Sequence, residues 1–197
     1  MMRRRALLLP LLLAGCALSE RPYAERRQWP LIVARPAVLP PRAGGGVLEL
    51  RNLRAGPGLG ARGLQSVQPD GSIRTAFYEE WAVPPAQGAE DALRAWLAAS
   101  GLYAAVVGPG SRAVADRVLE GELSALWTEP AAGRAKAALS VTLLAPRAEG
   151  TRILLQRRFE AAAPLPGADP KAAAQAMSAA LAMAFADIEA ALRQSGG

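Results

Sequence analysis

Three consecutive segments in which apolar and polar residues alternate constrain the fold of this 197-residue chain more than any other feature. They span residues 118–127, 135–144 and 152–160, and a period of two is typical of a strand with one buried face. Short connections containing Pro and Gly join them, which predicts an antiparallel meander. The residues expected on the buried face are Leu119, Gly121, Leu123, Ala125, Trp127, Ala137, Leu139, Val141, Leu143, Ile153, Leu155 and Phe159.

The remaining elements are predicted from turn and helix signals. An edge strand over 29–35 starts beside Pro30, which cannot donate to a ladder, and a second strand covers 47–54. Two segments flanking Pro69-Asp70-Gly71 form a hairpin, a helix covers 89–100, and a short strand covers 102–107. Asp169 and Pro170 suit the start of a last helix, whose apolar stripe should pack on the sheet. The expected fold class is α/β: a single domain with a mixed, largely antiparallel sheet and two main helices packed on it.

The N-terminus is typical of a secreted precursor. Three arginines at positions 3–5 precede a short apolar run that ends before Cys16, too short for the roughly 20 apolar residues that span a bilayer. Leu13-Ala14-Gly15-Cys16 resembles the lipobox of bacterial lipoproteins, with cleavage between Gly15 and Cys16 and a diacylglycerol and an N-acyl chain on Cys16. Cys16 is the only cysteine and has no disulfide partner. An ordinary secretory signal with an accidental cysteine is the alternative.

This interpretation divides the chain into three parts. Residues 1–15 are the signal peptide, residues 16–27 the lipidated N-terminus and a polar tether, and residues 28–197 one folded domain. Removing the three signal arginines leaves 23 − 3 = 20 basic against 17 acidic residues, so the formal charge falls from +6 to about +3. Since no basic run is interleaved with aromatic residues, nucleic-acid binding is not expected.

Few residues of the chain are suited to catalysis. The chain has no histidine, which removes the commonest general base and metal ligand, so neither a metal nor a cofactor beyond the lipid is expected. Three acidic pairs could in principle divide acid and base roles, but ordinary positions on solvated faces and in the first turn of a helix account for them more simply. They are Glu79 with Glu80, Glu90 with Asp91, and Glu120 with Glu122.

One aromatic cluster has no catalytic explanation. Phe77, Tyr78 and Trp81 precede Pro84-Pro85, and aromatic residues with a polar end are enriched at interfaces. They are candidate partner-binding residues, and the alternative is that they form core beneath the first helix.

Taken in order, five segments resemble the ABC-type transport auxiliary lipoproteins, which include the lipoprotein partners of MCE-type lipid transporters. The segments are 29–35, 48–57, 77–85, 99–106 and 118–127. The resemblance implies a mixed sheet with helices, no catalytic residues, and partners comprising a periplasmic MCE-domain protein and an ABC permease and ATPase, with homo-oligomers possible.

The same resemblance implies a place in the cell envelope. In bacterial lipoproteins an Asp after the cysteine is the usual inner-membrane retention signal, and this chain has Ala17, which favours an outer-membrane anchor facing the periplasm. Two other functions remain open at this point: an activator or scaffold of cell-wall synthesis, and a periplasmic enzyme that uses carboxylates.

Overall fold

The computed structural model describes residues 24–195, in which eight strands form one mixed sheet and two α-helices pack against it. The predicted order of elements, the α/β class and the two main helices are confirmed. The elements are β1 (Arg27–Trp29), β2 (Val47–Ala55), β3 (Gly63–Val67), β4 (Ile73–Trp81), α1 (Pro85–Ala98), β5 (Ala105–Val107), β6 (Arg117–Glu129), a single 3-10 turn (Pro130–Ala132), β7 (Arg134–Arg147), β8 (Gly150–Pro164) and α2 (Pro170–Ser195).

Strand β6 is the centre of the sheet. One edge pairs antiparallel with β7 along its whole length, and β7 pairs with β8, which confirms the meander. The other edge of β6 is shared: β2 pairs parallel with its first half, and β3 pairs at its end through Ser66 and Thr128. Strand β5 extends the sheet beyond β2, while β4 and β1 extend it beyond β3.

Two bulges change which residues of the meander are buried, contrary to the prediction. The register of β6 against β7 shifts between Leu123 and Ala125, so Leu126 is buried and Trp127, expected in the core, is half-exposed and donates to Glu129. A second shift in β8 leaves Ile153 exposed, although it too was expected in the core. An extra residue in a strand reverses the alternation beyond it, and an alternating sequence does not reveal where this occurs.

Helix α2 begins as predicted. Asp169 Oδ1 accepts the backbone N–H of Ala172 at 3.0 Å, and Pro170 is the first helical residue. The stripe Met177, Leu181, Ala184, Ile188 and Leu192 is buried on the sheet. Within the described residues this is the one helix long and apolar enough to cross a membrane. However, 56% of its apolar 18-residue stretch is buried inside the protein. That burial and the sheet contacts identify it as the core helix.

The segment after β1 departs from the prediction. The edge strand is Arg27–Trp29, parallel to β4, whereas residues 30–38 form no strand and instead lie against the helices. Arg35 donates to Glu189 of α2 at 3.0 Å, and Leu39 N donates to Ala99 O at the end of α1 at 2.9 Å. We call residues 30–41 the strap. Because Pro30 and Pro36 interrupt the backbone donors, this segment is poorly suited to a ladder.

Candidate functional site

The candidate site is built by a bulge in β4. Pairing with β3 passes from Gln65 and Thr75 to Gly63 and Glu80, so two steps along β3 match five along β4. The three extra residues push the strand outward at Phe77 and Tyr78. Gly63 permits this arrangement, because a Cβ at that position would lie 2.2 Å from the carbonyl oxygen of Ala76.

Phe77 and Tyr78 both project from the bulge, although neighbouring residues of a regular strand point to opposite faces. Their side chains are 66% and 46% exposed, and the rings meet edge to face with centroids 4.9 Å apart. The guanidinium of Arg26 lies 4.7 Å from the centre of the Phe77 ring. We call Phe77, Tyr78 and Arg26 the aromatic surface. Large exposed aromatic side chains supported by a fixed backbone are typical of protein-binding sites.

Trp81 is not part of this surface, which corrects its assignment as a candidate partner-binding residue. It is 1% exposed and belongs to the hydrophobic core, and its backbone N–H donates to Arg62 O at 2.7 Å. The strand has returned to regular pairing at this point, with β1 on one side and Gly63 on the other. The core alternative is therefore correct for Trp81, while Phe77 and Tyr78 remain exposed.

Two carboxylates fasten the base of the bulge to the N-terminal strand. Glu79 accepts the indole N–H of Trp29 at 2.8 Å and pairs with Arg27 at 3.4 Å. Glu80 is buried and accepts from Gln28 at 3.1 Å and from Arg62 at 2.8 Å. The acidic pair thus binds β1 and the loop before β3, and it supports the aromatic surface from below.

The other two acidic pairs also form hydrogen bonds or ion pairs within the fold. Helix α1 begins at Pro85, so Glu90 and Asp91 do not lie in its first turn as expected. Glu90 is buried and accepts the backbone N–H of Leu53 at 3.0 Å, where β2 is irregular, and Asp91 pairs with Arg94. Glu120 and Glu122 pair with Arg51 and Arg54, each at 3.2 Å.

The pairs of Glu120 and Glu122 lie in an open polar groove of about 1030 Å³ across β2, β6, β7 and β8. Apart from the ion pairs, Ser140, Thr142 and Gln156 line its floor. Within residues 24–195 no group of three or more acidic, His or Cys side chains is arranged to hold a metal ion.

Comparison with known proteins assigns the chain to a family. The model of the ABC-type transport auxiliary lipoprotein component matches residues 31–189, which include every element except β1 and the end of α2. The chain belongs to this family. As an ABC-type transport auxiliary lipoprotein, it is an auxiliary component of transport in the cell envelope, and its family is not one of enzymes. No curated protein matches the sequence.

Solved structures agree with the fold of this auxiliary lipoprotein. A Xanthomonas campestris protein of the DUF330 family is 20% identical and superposes with a TM-score of 0.67, over 84% of this chain and 92% of that one. An uncharacterised protein is 14% identical, with a TM-score of 0.65 over 88% and 99%. A hypothetical protein from Chlamydia trachomatis is 11% identical, with a TM-score of 0.51 over 77% and 97%. At these identities the likeness is one of fold alone.

Of the residues singled out in the sequence, Gly15 and Cys16 lie outside the described residues. Sequence reasoning missed Arg26 and Gly63, which hold the aromatic surface in place. Neither residue belongs to a local pattern that indicates a binding site. A glycine at the start of a strand is a signal for close backbone approach, and it could have indicated the bulge.

Proposed function

We propose that this auxiliary lipoprotein is anchored in the outer membrane through Cys16 and docks, through its aromatic surface, to the periplasmic MCE-domain protein of an ABC transporter that moves lipids or other hydrophobic solutes. The observation that carries the proposal is the exposure of Phe77 and Tyr78 on a bulge. Family membership supports the transport role, and the lipobox supports the anchor.

The position of the aromatic surface in the chain supports docking close to the membrane. From Cys16 to Arg26 the chain has 26 − 16 = 10 residues, which reach at most about 33 Å when extended. Arg26 lies over the Phe77 ring, so the aromatic surface is close to the start of the described residues. The anchor therefore restricts this surface to a layer roughly 33 Å deep beneath the membrane. A partner that crosses the periplasm would meet it there.

The charge around the rings limits the kind of partner surface. Arg26 contacts Phe77 and forms no ion pair among residues 24–195, whereas Glu79 and Glu80 are paired with Arg27 and Arg62. The surface therefore presents two rings beside a free positive charge. A complementary partner offers an apolar pocket with an acidic rim.

The test is binding of the full-length, lipidated protein in nonionic detergent to purified MCE-domain proteins from the same cell. Replacing both rings, Phe77→Ala with Tyr78→Ala, should weaken binding about 100-fold, since each interface aromatic contributes roughly 1 to 2 kcal/mol. The matched control is Val114→Ala with Ile153→Ala, two exposed apolar residues elsewhere on the protein, which should bind as the wild type does.

Two results would contradict the proposal. If no MCE-domain protein is retained, the transport partner is wrong, and co-purification of a peptidoglycan synthase would favour the cell-wall scaffold instead. If the control variant loses as much affinity as the aromatic variant, docking does not use the aromatic surface.

A further inference from the structure

A cavity of about 540 Å³ lies at the opposite end of the sheet from the aromatic surface. It lies where β2 and β6 begin, close to the end of α2, whereas β3 meets the far end of β6 at Thr128. From Arg117 to Thr128 is 128 − 117 = 11 steps of strand, or about 36 Å. The cavity is therefore separate from the docking surface, and its volume falls within the range of small-ligand sites.

Three arginines line this cavity, and two of them lack a counter-charge. Arg193 is paired with Glu189 at 3.0 Å. Arg42 and Arg117, in contrast, form no ion pair with any residue of the described chain, and Arg117 donates only to the carbonyl of its neighbour Asp116, at 2.9 Å. Two unneutralised guanidinium groups in one concave site favour an anion.

The acidic residue of the cavity does not neutralise them. Asp116 Oδ2 accepts the backbone N–H of Val47 at 2.7 Å, and its carboxylate lies against Gly46. This contact closes the loop onto the start of β2. Asp116 is one carboxylate against three arginines, of which Arg193 is paired with Glu189, so the balance of charge in the cavity stays positive.

Tyr103 adds a neutral donor to the cavity wall. Its hydroxyl has no hydrogen-bond partner among residues 24–195, and the residue is partly buried. Burial raises the pKa of the phenol to about 12, against the opposing effect of the Arg117 charge. The hydroxyl thus keeps its proton at neutral pH and can donate to an oxygen.

The loop that carries Arg42 is fixed before any ligand arrives. Arg42 N donates to Tyr103 O at 3.1 Å, and a Cβ on Gly45 would lie 2.8 Å from Leu102 O, so the loop is packed tightly against this segment. The backbone of Arg42 is therefore held next to that of Tyr103, while the Arg117 charge is close enough to affect the Tyr103 hydroxyl. Such preorganisation lowers the cost of binding.

We propose that this cavity binds a phosphate-class anion, either free phosphate or the head group of a phospholipid, through Arg42, Arg117 and the Tyr103 hydroxyl. Guanidinium groups match the oxygens of phosphate in charge and geometry. The partly exposed Leu102 provides an apolar contact beside the arginines, above the buried Leu143 and Leu192, and this suits the glycerol and first acyl carbons of a lipid. The site does not depend on the docking proposal, because it shares no residue with the aromatic surface.

The experiment is a titration of the full-length protein in nonionic detergent, followed by NMR of the arginine side-chain N–H groups. One arm uses inorganic phosphate, and the other uses dihexanoyl phosphatidylglycerol below its micelle-forming concentration. Saturable shifts at Arg42 and Arg117 are expected in at least one arm. Comparable affinities would identify free phosphate as sufficient, and much tighter binding of the lipid would identify the head group of an amphiphile.

Variants connect the binding to the cavity. Arg42→Gln and Arg117→Gln should each weaken the affinity about 10-fold, and Tyr103→Phe about 3-fold, as expected for loss of charged and neutral hydrogen bonds. Arg74→Gln, an exposed arginine at the other end of the sheet, is the control and should bind as the wild type does. Near-UV circular dichroism verifies that each variant is folded.

Three outcomes would overturn the proposal. The first is that neither probe produces a saturable shift. The second is that folded Arg42→Gln or Arg117→Gln binds the probe as tightly as the wild type does. The third is that the control Arg74→Gln loses as much affinity as the cavity variants.

Discussion

Glu189 is the residue on which the two helices and the strap converge. Its carboxylate accepts from Arg35 at 3.0 Å, from the Trp96 indole at 2.8 Å and from Arg193 at 3.0 Å. Trp96 in turn meets Phe185 edge to face, and Arg35 lies 5.7 Å from the Trp96 ring. The Glu189 carboxylate is thus the counter-charge of the largely buried Arg35 guanidinium and the acceptor for donors from both helices.

Glu189→Gln should therefore destabilise the fold by about 3 kcal/mol, because the largely buried Arg35 guanidinium loses its counter-charge. Urea unfolding followed by circular dichroism measures the change. Asp187→Asn, an exposed acid in the same helix, should change stability by no more than about 0.5 kcal/mol. Equal effects of the two substitutions would mean that helix charge, and not the buried network, is responsible.

Tyr103 makes the stability of the folded protein decrease at alkaline pH. Its pKa of about 12 in the folded protein exceeds the value of 10.0 for an unperturbed tyrosine, so between these pH values the folded state holds a proton that the unfolded state has released. Stability from this group is fully present below pH 10.0 and is lost as the pH rises toward about 12. Between these pH values the free energy of unfolding should fall less in Tyr103→Phe than in the wild type, and the difference should reach about 3 kcal/mol. Urea unfolding between pH 9 and pH 12 tests this, and Tyr78→Phe, which retains Tyr103, should keep the wild-type slope.

At the scale of elements, the bulge of β4 depends on a single glycine. Gly63→Ala should cost about 3 kcal/mol, because its Cβ would lie 2.2 Å from the Ala76 carbonyl oxygen and 2.6 Å from Thr75 Cγ2. Gly60→Ala, a few residues away, meets nothing within 4 Å and should be near neutral. Thermal unfolding of both variants provides the comparison. A neutral Gly63→Ala variant would show that β3 and β4 separate easily, and that the bulge does not hold the rings rigidly.

Elements defined by local chemistry were predictable from the sequence. Alternation over 118–160 predicted the meander, and Asp169-Pro170 predicted the start of α2. Gly63 signals a close approach of two backbones, but the position and size of a bulge were not predictable, because they depend on which strand lies opposite. For the same reason the sequence could not separate Trp81, which is core, from Phe77 and Tyr78, which are exposed. The cavity arginines come from distant segments, and no local pattern brings 42, 117 and 193 together.

At the scale of the whole molecule, one end of the sheet carries exposed aromatic rings and the other end carries a cavity lined by arginines. The aromatic surface lies close to the N-terminal segment, and the arginine cavity lies about 36 Å along β6 from the hairpin end. The strap connects these ends along the helices, from Trp29 in β1 to the glycines before β2. An anchor at Cys16 would therefore hold one end near the membrane and let the other face away from it.

This orientation predicts a measurable difference in distance from the bilayer. Because Cys16 is the only cysteine and is expected to be acylated, a cysteine introduced elsewhere can be labelled alone. With the lipidated protein in vesicles containing an acceptor lipid, a dye at Thr75→Cys, on exposed β4, should transfer energy more efficiently than a dye at Ala43→Cys beside the cavity. A fully extended tether would reach about 33 Å, and the cavity lies about 36 Å along β6 from the hairpin end. Equal efficiencies would mean that the domain tumbles freely below the membrane. Higher efficiency at Ala43→Cys would mean that the arginine end faces the lipid, and the proposed docking geometry would then be inverted.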